Sequence, residues 1–258
     1  MRIKLHINKS VHENAAAYYE LAKEARKKRE GLAAAMEETR KEIDAAKKKQ
    51  KEGEKKAVRV KREKQWFEKF HWFTTSGGRL AVGGRDAKQN DLLFAKHMDE
   101  ADLFFHADIQ GGSAVILKDG ADAGQEELLE CAQFAASLSN AWKNANAGVD
   151  VYAVKKGQLS KHSHGGYIPS GAFAITGERA WFRSTRLGVR AGIGEGSKRA
   201  ELVPAVSKRK LLMETALLPS RSGKDKGALA KILAKKLNVH PDELLEILPN
   251  GKSKIAEK

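Results

Sequence analysis

The residues with the clearest chemical potential lie around a glycine pair that leads into a predicted helix. Gly83 and Gly84 precede Arg85, and Asp86 stands three residues before Gln89. Asp and Gln at this spacing predict a capping box, in which both side chains satisfy free backbone N–H groups at a helix start. The remaining N–H groups and the positive end of the helix dipole attract anions, and the glycines let a phosphate approach. Arg85 adds a planar donor that can bind phosphate with two hydrogen bonds. The stretch therefore predicts an anion site at a helix start.

A histidine and an aspartate follow this helix on a predicted strand. His106 and Asp108 are two residues apart, so their side chains point to the same side of the strand. With Asp86 they suggest a metal site or an acid–base pair, but a buried, hydrogen-bonded His–Asp pair is the commoner explanation. His162 and His164 share a loop without a cysteine or a firm third ligand. We therefore predict no catalytic residue, no metal and no cofactor, and we expect that the protein is not an enzyme.

The overall charge favours a polyanionic partner. The chain has 48 Lys and Arg against 33 Asp and Glu, a net charge of +15. Such an excess attracts phosphate backbones or acidic membrane surfaces, and this attraction weakens as the salt concentration rises. The single cysteine, Cys131, permits no internal disulfide and fits a reducing cytoplasm. No apolar run reaches the length that a bilayer requires. We expect a cytoplasmic protein without a membrane partner.

Aromatic and basic residues alternate with polar loops, which is typical of RNA-binding surfaces. His71 and Trp72 belong to an aromatic cluster, although such a tryptophan is more often a core residue than a stacking platform. Lys161 lies in a loop whose serine and glycine backbone a phosphate can approach. Glycine motifs of nucleotide hydrolases and dinucleotide-binding folds are not matched. RNA is therefore a better candidate ligand than a free nucleotide.

Residues 1–65 predict a helical arm. Residues 2–7 alternate polar and apolar side chains, as a short half-buried strand does. Ser10 can cap a helix that carries an apolar stripe at helical spacing. Gly53 interrupts this pattern, and residues 54–68 resume it as a strongly basic helix. We predict a helical hairpin that turns near Gly53, and a single long dimerising helix is the alternative.

Residues 66–200 predict an α+β domain, in which a mixed, mainly antiparallel sheet packs with helices. A hairpin is predicted around the Ser76–Gly78 turn and a second one over Gly177, with a long polar loop at residues 155–170. The predicted strands are 71–75, 79–83, 102–107, 113–118, 149–154, 172–176 and 180–182, and the predicted helices begin at Asp86 and at Gly124.

Residues 201–258 predict a small basic helical tail. Candidate helices lie at residues 208–217, 225–237 and 241–248. Residues 183–199, rich in Gly and Arg, predict an exposed basic rim before this tail. The composition gives no role for the tail.

Five segments of the chain together resemble one known family. They are KFHWF (69–73), GGRD (83–86), QN (89–90), HAD (106–108) and QLSKHSHGGYIPSGAFAITG (158–177). These segments are similar to the NFACT-R domain, the RNA-binding module of the ribosome quality-control factors RqcH and nuclear export mediator factor, once called fibronectin-binding-A-like. NAAAYY (14–19) resembles the middle coiled coil that precedes this domain in the family.

The resemblance implies partners and a set of binding residues. It implies binding to large ribosomal subunit RNA and tRNA in the rescue of stalled translation. Family members begin with a large amino-terminal domain that this chain lacks, so we expect a short form, with a separately encoded NFACT-N-like protein as a candidate partner. The implied RNA-binding residues are Arg85, Lys69, His71, Gly83, Gly84, Gln89, Asn90, His106, Asp108, Ser160, Lys161, Ser170 and Gly171.

Two other functions compete with this interpretation. One is an RNA-processing or tRNA-modification accessory protein or enzyme, and the other is a coiled-coil scaffold that recruits a protein partner. Arg85 offers a local test of the RNA hypothesis. We expect Arg85 to face phosphate and to have no partner in the fold to lose, so Arg85→Ala weakens RNA binding and leaves stability nearly unchanged. If it is structural, in a salt bridge with Asp102 or Asp108, the same substitution lowers stability.

Overall fold

The computed structural model describes residues 3–55, 65–163, 166–196 and 199–256. Backbone contacts divide the chain into two compact units, Met1–Glu63 and Lys64–Lys258.

The first unit is dominated by one long helix, α1 (Val11–Lys55). Ser10 begins it, since its hydroxyl accepts from the Glu13 N–H at 3.3 Å and the Glu13 carboxylate accepts from the Ser10 N–H at 2.7 Å. The predicted strand at residues 2–7 is wrong, because no strand forms in its described part, residues 3–7. The buried Asn14 side chain instead bonds the backbone of His6, at 2.9 and 3.1 Å, so this segment folds back onto the first turns of α1.

The helix α1 continues through Gly53 to Lys55, so the chain does not turn at Gly53 as predicted. The predicted second helix at 54–68 lies largely in residues 56–64, outside the described residues, and its described end, Trp66–Lys69, is one 3-10 turn. Apolar side chains remain exposed along α1, among them Leu21, Leu32, Met36 and Ile43. The choice between a hairpin and a dimerising helix remains a prediction.

The second unit is an α+β structure built on antiparallel strands. Its helices are α2 (Ala87–His97), α3 (Gln125–Ser137), α4 (Asn140–Lys143), α5 (Lys226–Leu237) and α6 (Pro241–Ile247). Its strands are β1 (His71–Thr74), β2 (Leu80–Gly83), β3 (Leu103–Ala107), β4 (Val115–Leu117), β5 (Gly148–Lys155), β6 (Leu159–Ser160), β7 (His162–Ser163), β8 (Gly166–Tyr167), β9 (Ala174–Ile175), β10 (Ala180–Arg186), β11 (Val189–Gly194), β12 (Ala200–Pro204), β13 (Leu211–Lys224) and β14 (Ser253–Ile255).

Six strands form the larger sheet, in the order β1-β2-β4-β3-β5-β10. This confirms the first predicted hairpin and the strands predicted at 102–107, 113–118 and 149–154. The second predicted hairpin is wrong, because β9 pairs with β6 while β10 pairs with β5. The helix predicted from Gly124 is two helices, since Ser139 caps α4 by accepting from the Ala141 N–H at 3.1 Å.

Both faces of the larger sheet are covered, as the alternation of side chains requires. On one face Phe73, Phe105 and Val151 pack into a core with α3 and the smaller sheet. On the other face Phe104 and Ile116 pack against Leu93 of α2 and against Phe173 and Ile175, which follow the predicted polar loop. The residues predicted as a loop, 155–170, therefore begin a longer segment that reaches Ile175 and helps to cover this second face. We call it the polar segment.

The carboxy-terminal residues form the smaller sheet, in the order β12-β11-β13-β14. The helix predicted at 208–217 is wrong, because Leu211, Thr215 and Leu217 are buried side chains of β13. Part of the predicted basic rim is also wrong, since β11 is a mostly buried strand. The helices predicted at 225–237 and 241–248 are confirmed as α5 and α6.

This region shares the core of the larger sheet. Leu202, Leu217, Leu229 and Leu233 belong to the same buried cluster as Phe105. The buried Trp142 indole N–H also donates to Ser253 Oγ at 3.0 Å, which ties β14 to α4. Residues 201–258 therefore form an integral part of the second unit rather than an appendage.

We expect residues 64–258 to fold alone with one cooperative melting transition. A chain of residues 66–200 should not, because it would expose the apolar surfaces that the smaller sheet, α5 and α6 cover. Circular dichroism melting of the two chains is the measurement. A cooperative transition in the shorter chain would contradict the shared core.

Candidate nucleic-acid interface

The first turn of α2 forms the predicted capping contacts, except that Gln89 bonds the backbone one residue earlier than expected. Asp86 caps the helix, since its Oδ1 accepts from the Gln89 N–H at 2.8 Å. Gln89 Oε1 accepts from the N–H of Arg85, at 3.0 Å, rather than from that of Asp86. A Cβ on Gly84 would lie 2.1 Å from Asn90 Oδ1, so a side chain cannot be placed at position 84 without moving Asn90.

Asn90 fixes the strand that faces the helix start. Its Oδ1 accepts from the Ala114 N–H at 3.1 Å, and the Ser113 hydroxyl donates to the Gly84 carbonyl at 2.5 Å. The backbone N–H of Gly84 donates to the Ala114 carbonyl at 3.0 Å. These bonds hold the turn at residues 111–113 beside the first turn of α2.

A cleft of about 630 Å³ opens between the helix start, this turn, the end of β3 and residues 169–173. Of the residues predicted to bind RNA, it is lined by His71, Gly84, Arg85, Asn90, His106, Ser170 and Gly171. The other predicted residues do not line it: Lys69, Gly83, Gln89, Asp108, Ser160 and Lys161. Its walls also include residues that the sequence analysis missed: Gly111, Gly112, Ser113, Asn140 and Tyr152.

The two histidines of the cleft are held neutral by burial. His71 is 6% exposed. Burial, with the positive charges of Arg85 and Lys226, lowers its pKa to about 3. Burial also lowers the pKa of His106. The Nδ1 atoms of both rings are buried without a hydrogen-bond partner among the described residues. The cleft therefore offers hydrogen-bonding groups here rather than imidazolium charge.

His106 and Asp108 do not form the buried pair that was considered. Asp108 is exposed, and within the described part of the chain no hydrogen bond joins the two side chains. His106 packs instead between Phe104, with ring centroids 6.2 Å apart, and Tyr152, at 5.8 Å. A Cβ on Gly112 would lie 2.8 Å from His106 Nε2, so the glycine gives the imidazole its space.

The Arg85 side chain has structural partners that differ from the predicted ones. One guanidinium nitrogen donates to the Phe70 carbonyl at 3.2 Å and to the Glu68 carbonyl at 3.5 Å. The same nitrogen lies 3.8 Å from the Glu246 carboxylate, so the salt bridge runs neither to Asp102 nor to Asp108. The expectation that Arg85 has no partner to lose is therefore wrong.

Lys161 is also bound within the fold. Its ammonium pairs with the Asp91 carboxylate, donates to the Ala172 carbonyl at 2.7 Å and lies 4.1 Å from the centre of the Phe173 ring. The Ser170 hydroxyl and the Gly171 N–H donate to the same carboxylate, at 2.6 and 3.0 Å. Partial burial would raise the pKa of Asp91, but these donors lower it below the ordinary value.

Asp91 therefore clamps the polar segment onto α2, and the sequence analysis missed it. No local motif could have identified it, because its partners lie about seventy to eighty residues away along the chain. Ser160 pairs with Ala174 through the backbone, and its hydroxyl donates to the nearby His162 carbonyl at 3.0 Å.

The remaining basic and aromatic candidates are divided between surface and core. Lys69 is exposed, and its ammonium lies 5.1 Å from the centre of the Phe70 ring. Phe73 is buried in the core. Trp72 packs edge-on against Phe67 at 4.9 Å, which agrees with a structural role.

Positive charge accumulates behind the cleft wall. Burial lowers the pKa of Lys226, and the positive charge of Arg85 lowers it further by a smaller amount. The Lys226 ammonium donates to Asn250 Oδ1 at 3.0 Å. Burial also lowers the pKa of Arg85, and only Glu246 opposes this effect. Arg85, Lys226 and His71 thus lie in a region with more positive charge than its carboxylates balance. The sequence analysis assigned Lys226 no role.

Other chemistries find little support in the geometry. Among the described residues, no three His, Cys, Asp or Glu side chains are arranged to hold a metal ion, and His164 of the weak candidate pair lies outside those residues. Cys131 is buried, and burial raises the pKa of its thiol well above the ordinary value. No described helix combines the length and the apolar character needed to span a bilayer.

Comparison with known proteins places this geometry in a family. Residues 69–177 match the model of the NFACT protein RNA binding domain. The chain is 37% identical over 207 residues to the archaeal Rqc2 homolog aRqcH of Methanocaldococcus jannaschii, covering 78% of this chain and 31% of that protein. It is 32% identical over 181 residues to the human ribosome quality control complex subunit NEMF, covering 64% of this chain and 16% of that protein.

A solved structure from Streptococcus suis, the C-terminal of a fibronectin/fibrinogen-binding protein, is 22% identical with a TM-score of 0.40. It covers 70% of this chain, and 78% of that chain is matched.

The chain is an NFACT-R domain protein of the family that includes RqcH and NEMF. It spans less than a third of the length of the two curated relatives named above.

The buried His71 predicts a specific pH dependence. Its pKa is lowered to about 3 in the folded chain from 6.5, so protonation favours the unfolded state. Its stabilising contribution is complete above pH 6.5 and is lost as the pH falls from 6.5 towards 3. Between about pH 7 and pH 5 this loss amounts to roughly 2 kcal/mol.

Urea unfolding of the wild type and of His71→Asn at both pH values measures this loss. The variant should be less stable at neutral pH and should show a shallower decline. An equal decline in both proteins would show that His71 does not titrate as described.

The partners of Arg85 predict that Arg85→Ala lowers the free energy of unfolding by roughly 1–2 kcal/mol, because two carbonyl bonds and an ion pair disappear. Asp86→Ala provides a neighbouring comparison, with an expected loss of about 1 kcal/mol from the missing helix cap. Urea titrations at pH 7 give both values. An Arg85→Ala protein as stable as the wild type would mean that its contacts contribute nothing net.

Proposed function

We propose that this chain binds RNA of the large ribosomal subunit, or tRNA on it, in ribosome-associated quality control. The observation that carries the proposal is the positive charge behind the cleft. Burial lowers the pKa of both Arg85 and Lys226, Arg85 lowers that of Lys226 further, and at Arg85 only Glu246 opposes the effect of burial. A phosphate in the cleft would supply the missing negative charge.

The cleft suits a nucleotide segment of RNA in other respects. The first backbone N–H groups of α2 would face a phosphate at the positive end of the helix dipole. The neutral imidazole of His106 and the side chain of Asn140 offer hydrogen bonds without charge. A volume of about 630 Å³ holds a nucleotide rather than a duplex.

The family supports the same ligand. The matched model is that of an RNA binding domain, and the relatives are named as ribosome quality control factors. The overall charge of +15 adds an electrostatic contribution that does not depend on sequence. Of the predicted binding residues, those on the cleft wall are the ones we propose as direct contacts, with Lys69 outside it as a further surface charge.

The exposed apolar side chains of α1 favour a second function. Leu21, Leu32, Met36 and Ile43 are exposed on a helix whose other side chains are mostly charged or polar. Such a stripe is typically covered by another helix. We propose that the arm binds a protein partner, with a separately encoded amino-terminal half of the family architecture as one candidate.

Ribosome sedimentation tests the RNA-binding function. The purified chain should sediment with isolated large ribosomal subunits, and its affinity should fall roughly tenfold or more between about 50 and about 200 mM salt. Binding that ignores salt would contradict the electrostatic basis. Residues 64–258 alone should bind more weakly if the arm also contacts the subunit.

A pair of variants on α5 tests the role of the cleft charge. Lys226→Gln should weaken RNA binding without lowering the free energy of unfolding. In the folded chain the partly buried Lys226 ammonium loses some of its favourable hydration and lies close to the positive charge of Arg85. Lys231→Gln, an exposed residue on the same helix, is the matched control. Equal RNA affinity for the two variants would exclude Lys226 and the charge behind the cleft from RNA binding.

A further inference from the structure

A row of aromatic side chains crosses the larger sheet from the cleft to its edge. Tyr152 of β5 pairs directly with His106 of β3 and with Trp181 of β10, so all three lie on the same face of the sheet. The Tyr152 ring lies 5.8 Å from the His106 ring and 5.6 Å from the Trp181 ring, measured between centroids. Because His106 and Tyr152 line the cleft, the row continues the cleft surface outward.

Two arginines lie against these rings. The Arg179 guanidinium is 4.7 Å from the centre of the Tyr152 ring, and the Arg183 guanidinium is 3.9 Å from the centre of the Trp181 ring. Asp150 holds Arg183 in place with a 2.6 Å ion pair and accepts from the Ser184 N–H at 2.7 Å. The Arg183 side chain nevertheless remains 61% exposed.

No polar contact with a described residue ties Arg179 into the fold. Its side chain is exposed and forms no hydrogen bond or ion pair with any described residue. The Arg179 guanidinium lies close to both the Tyr152 and the Trp181 rings, at 4.7 and 5.8 Å from their centres, and it remains open to solvent. RNA-binding proteins stack unpaired bases on aromatic rings and on such guanidinium planes.

The charges beside the row favour a base over a phosphate as its occupant. Asp108 is exposed next to His106, and Asp150 follows on the neighbouring strand, where the Asp108 N–H donates to the Asp150 carbonyl. These two carboxylates offset the charges of Arg179 and Arg183, so this place has no excess positive charge to attract a phosphate, whereas an uncharged base needs none. Phosphates of a bound strand would therefore lie away from these carboxylates.

Tyr152 is only 8% exposed, so it supports Arg179 from below rather than meeting a base itself. We propose that Trp181, Arg179 and Arg183, on this support, form a stacking platform for unpaired RNA bases, which leads a single strand towards the cleft. This inference rests on the proposed RNA-binding function and adds the class of ligand, unpaired nucleotides rather than a duplex. Trp181 and Arg183 lie on β10, an edge strand of the sheet, and Arg179 directly precedes it, so bases can approach from solvent.

The test uses the full chain with two labelled RNAs, an oligouridine of about twelve nucleotides, which matches the usual site size, and a hairpin with the same number of phosphates. The variant is Arg179→Lys, which keeps the charge and removes the planar group. Fluorescence anisotropy should show about tenfold weaker oligouridine binding and hairpin affinity within about twofold of the wild type. Arg186→Lys is the matched control, because Arg186 is exposed at the other end of β10, the strand that follows Arg179, and contacts no ring among the described residues.

Trp181→Leu, which keeps an apolar side chain, should weaken oligouridine binding to a similar degree. Unchanged oligouridine affinity in Arg179→Lys, or a wild type that binds the hairpin but not oligouridine, would overturn the stacking platform. A wild type that binds neither RNA nor large ribosomal subunits would instead overturn the proposed function.

Discussion

The larger sheet must be covered on both faces, and the rest of the second unit follows from this constraint. Its six strands alternate apolar side chains to either side, so neither face can remain in water. The smaller sheet and α3 cover one face completely. On the other face, α2 and the segment up to Ile175 cover only the strands near Phe104 and Ile116. The cover ends at His106 and Tyr152, and the cleft lies where it ends.

The cover on the second face is held by polar bonds rather than by apolar burial alone. Asp91 gathers donors from Lys161, Ser170 and Gly171, so one carboxylate fixes a segment with little regular structure of its own. Asn90, its neighbour on α2, fixes the opposite side of the cleft through Ala114. Two adjacent side chains of one helix thus set the width of the cleft. A change at Asp91, which does not line the cleft, would alter the site without removing a residue proposed as a contact.

Neutral histidines and charged cations occupy different positions around the cleft. Burial keeps His71 and His106 neutral, whereas Arg85 and Lys226 remain cations behind the wall. Groups that are costly to bury are retained where function needs them, and their cost falls when an anion binds. The platform at Tyr152 and Trp181 lacks this excess, since Asp108 and Asp150 lie beside it. The cleft and the platform therefore suit different parts of a nucleotide chain.

The sequence by itself determined the elements whose signals are local. The Asp86 cap, the strands of the first hairpin, the helices α5 and α6, and the RNA-binding family all follow from short segments, because each depends on neighbouring residues. The alternating pattern of residues 2–7 misled, since no strand forms in residues 3–7. Tertiary structure decided β13, since the apolar residues of 208–217 suit a helix or a strand until a partner sheet is known. Tertiary structure also determined the contacts of Arg85 and Lys161. In the sequence both residues stand beside glycine or serine residues, but only the fold brings Arg85 to Glu246 and Lys161 to Asp91. The row from His106 to Trp181 joins three strands separated in sequence, and only their register brings it together.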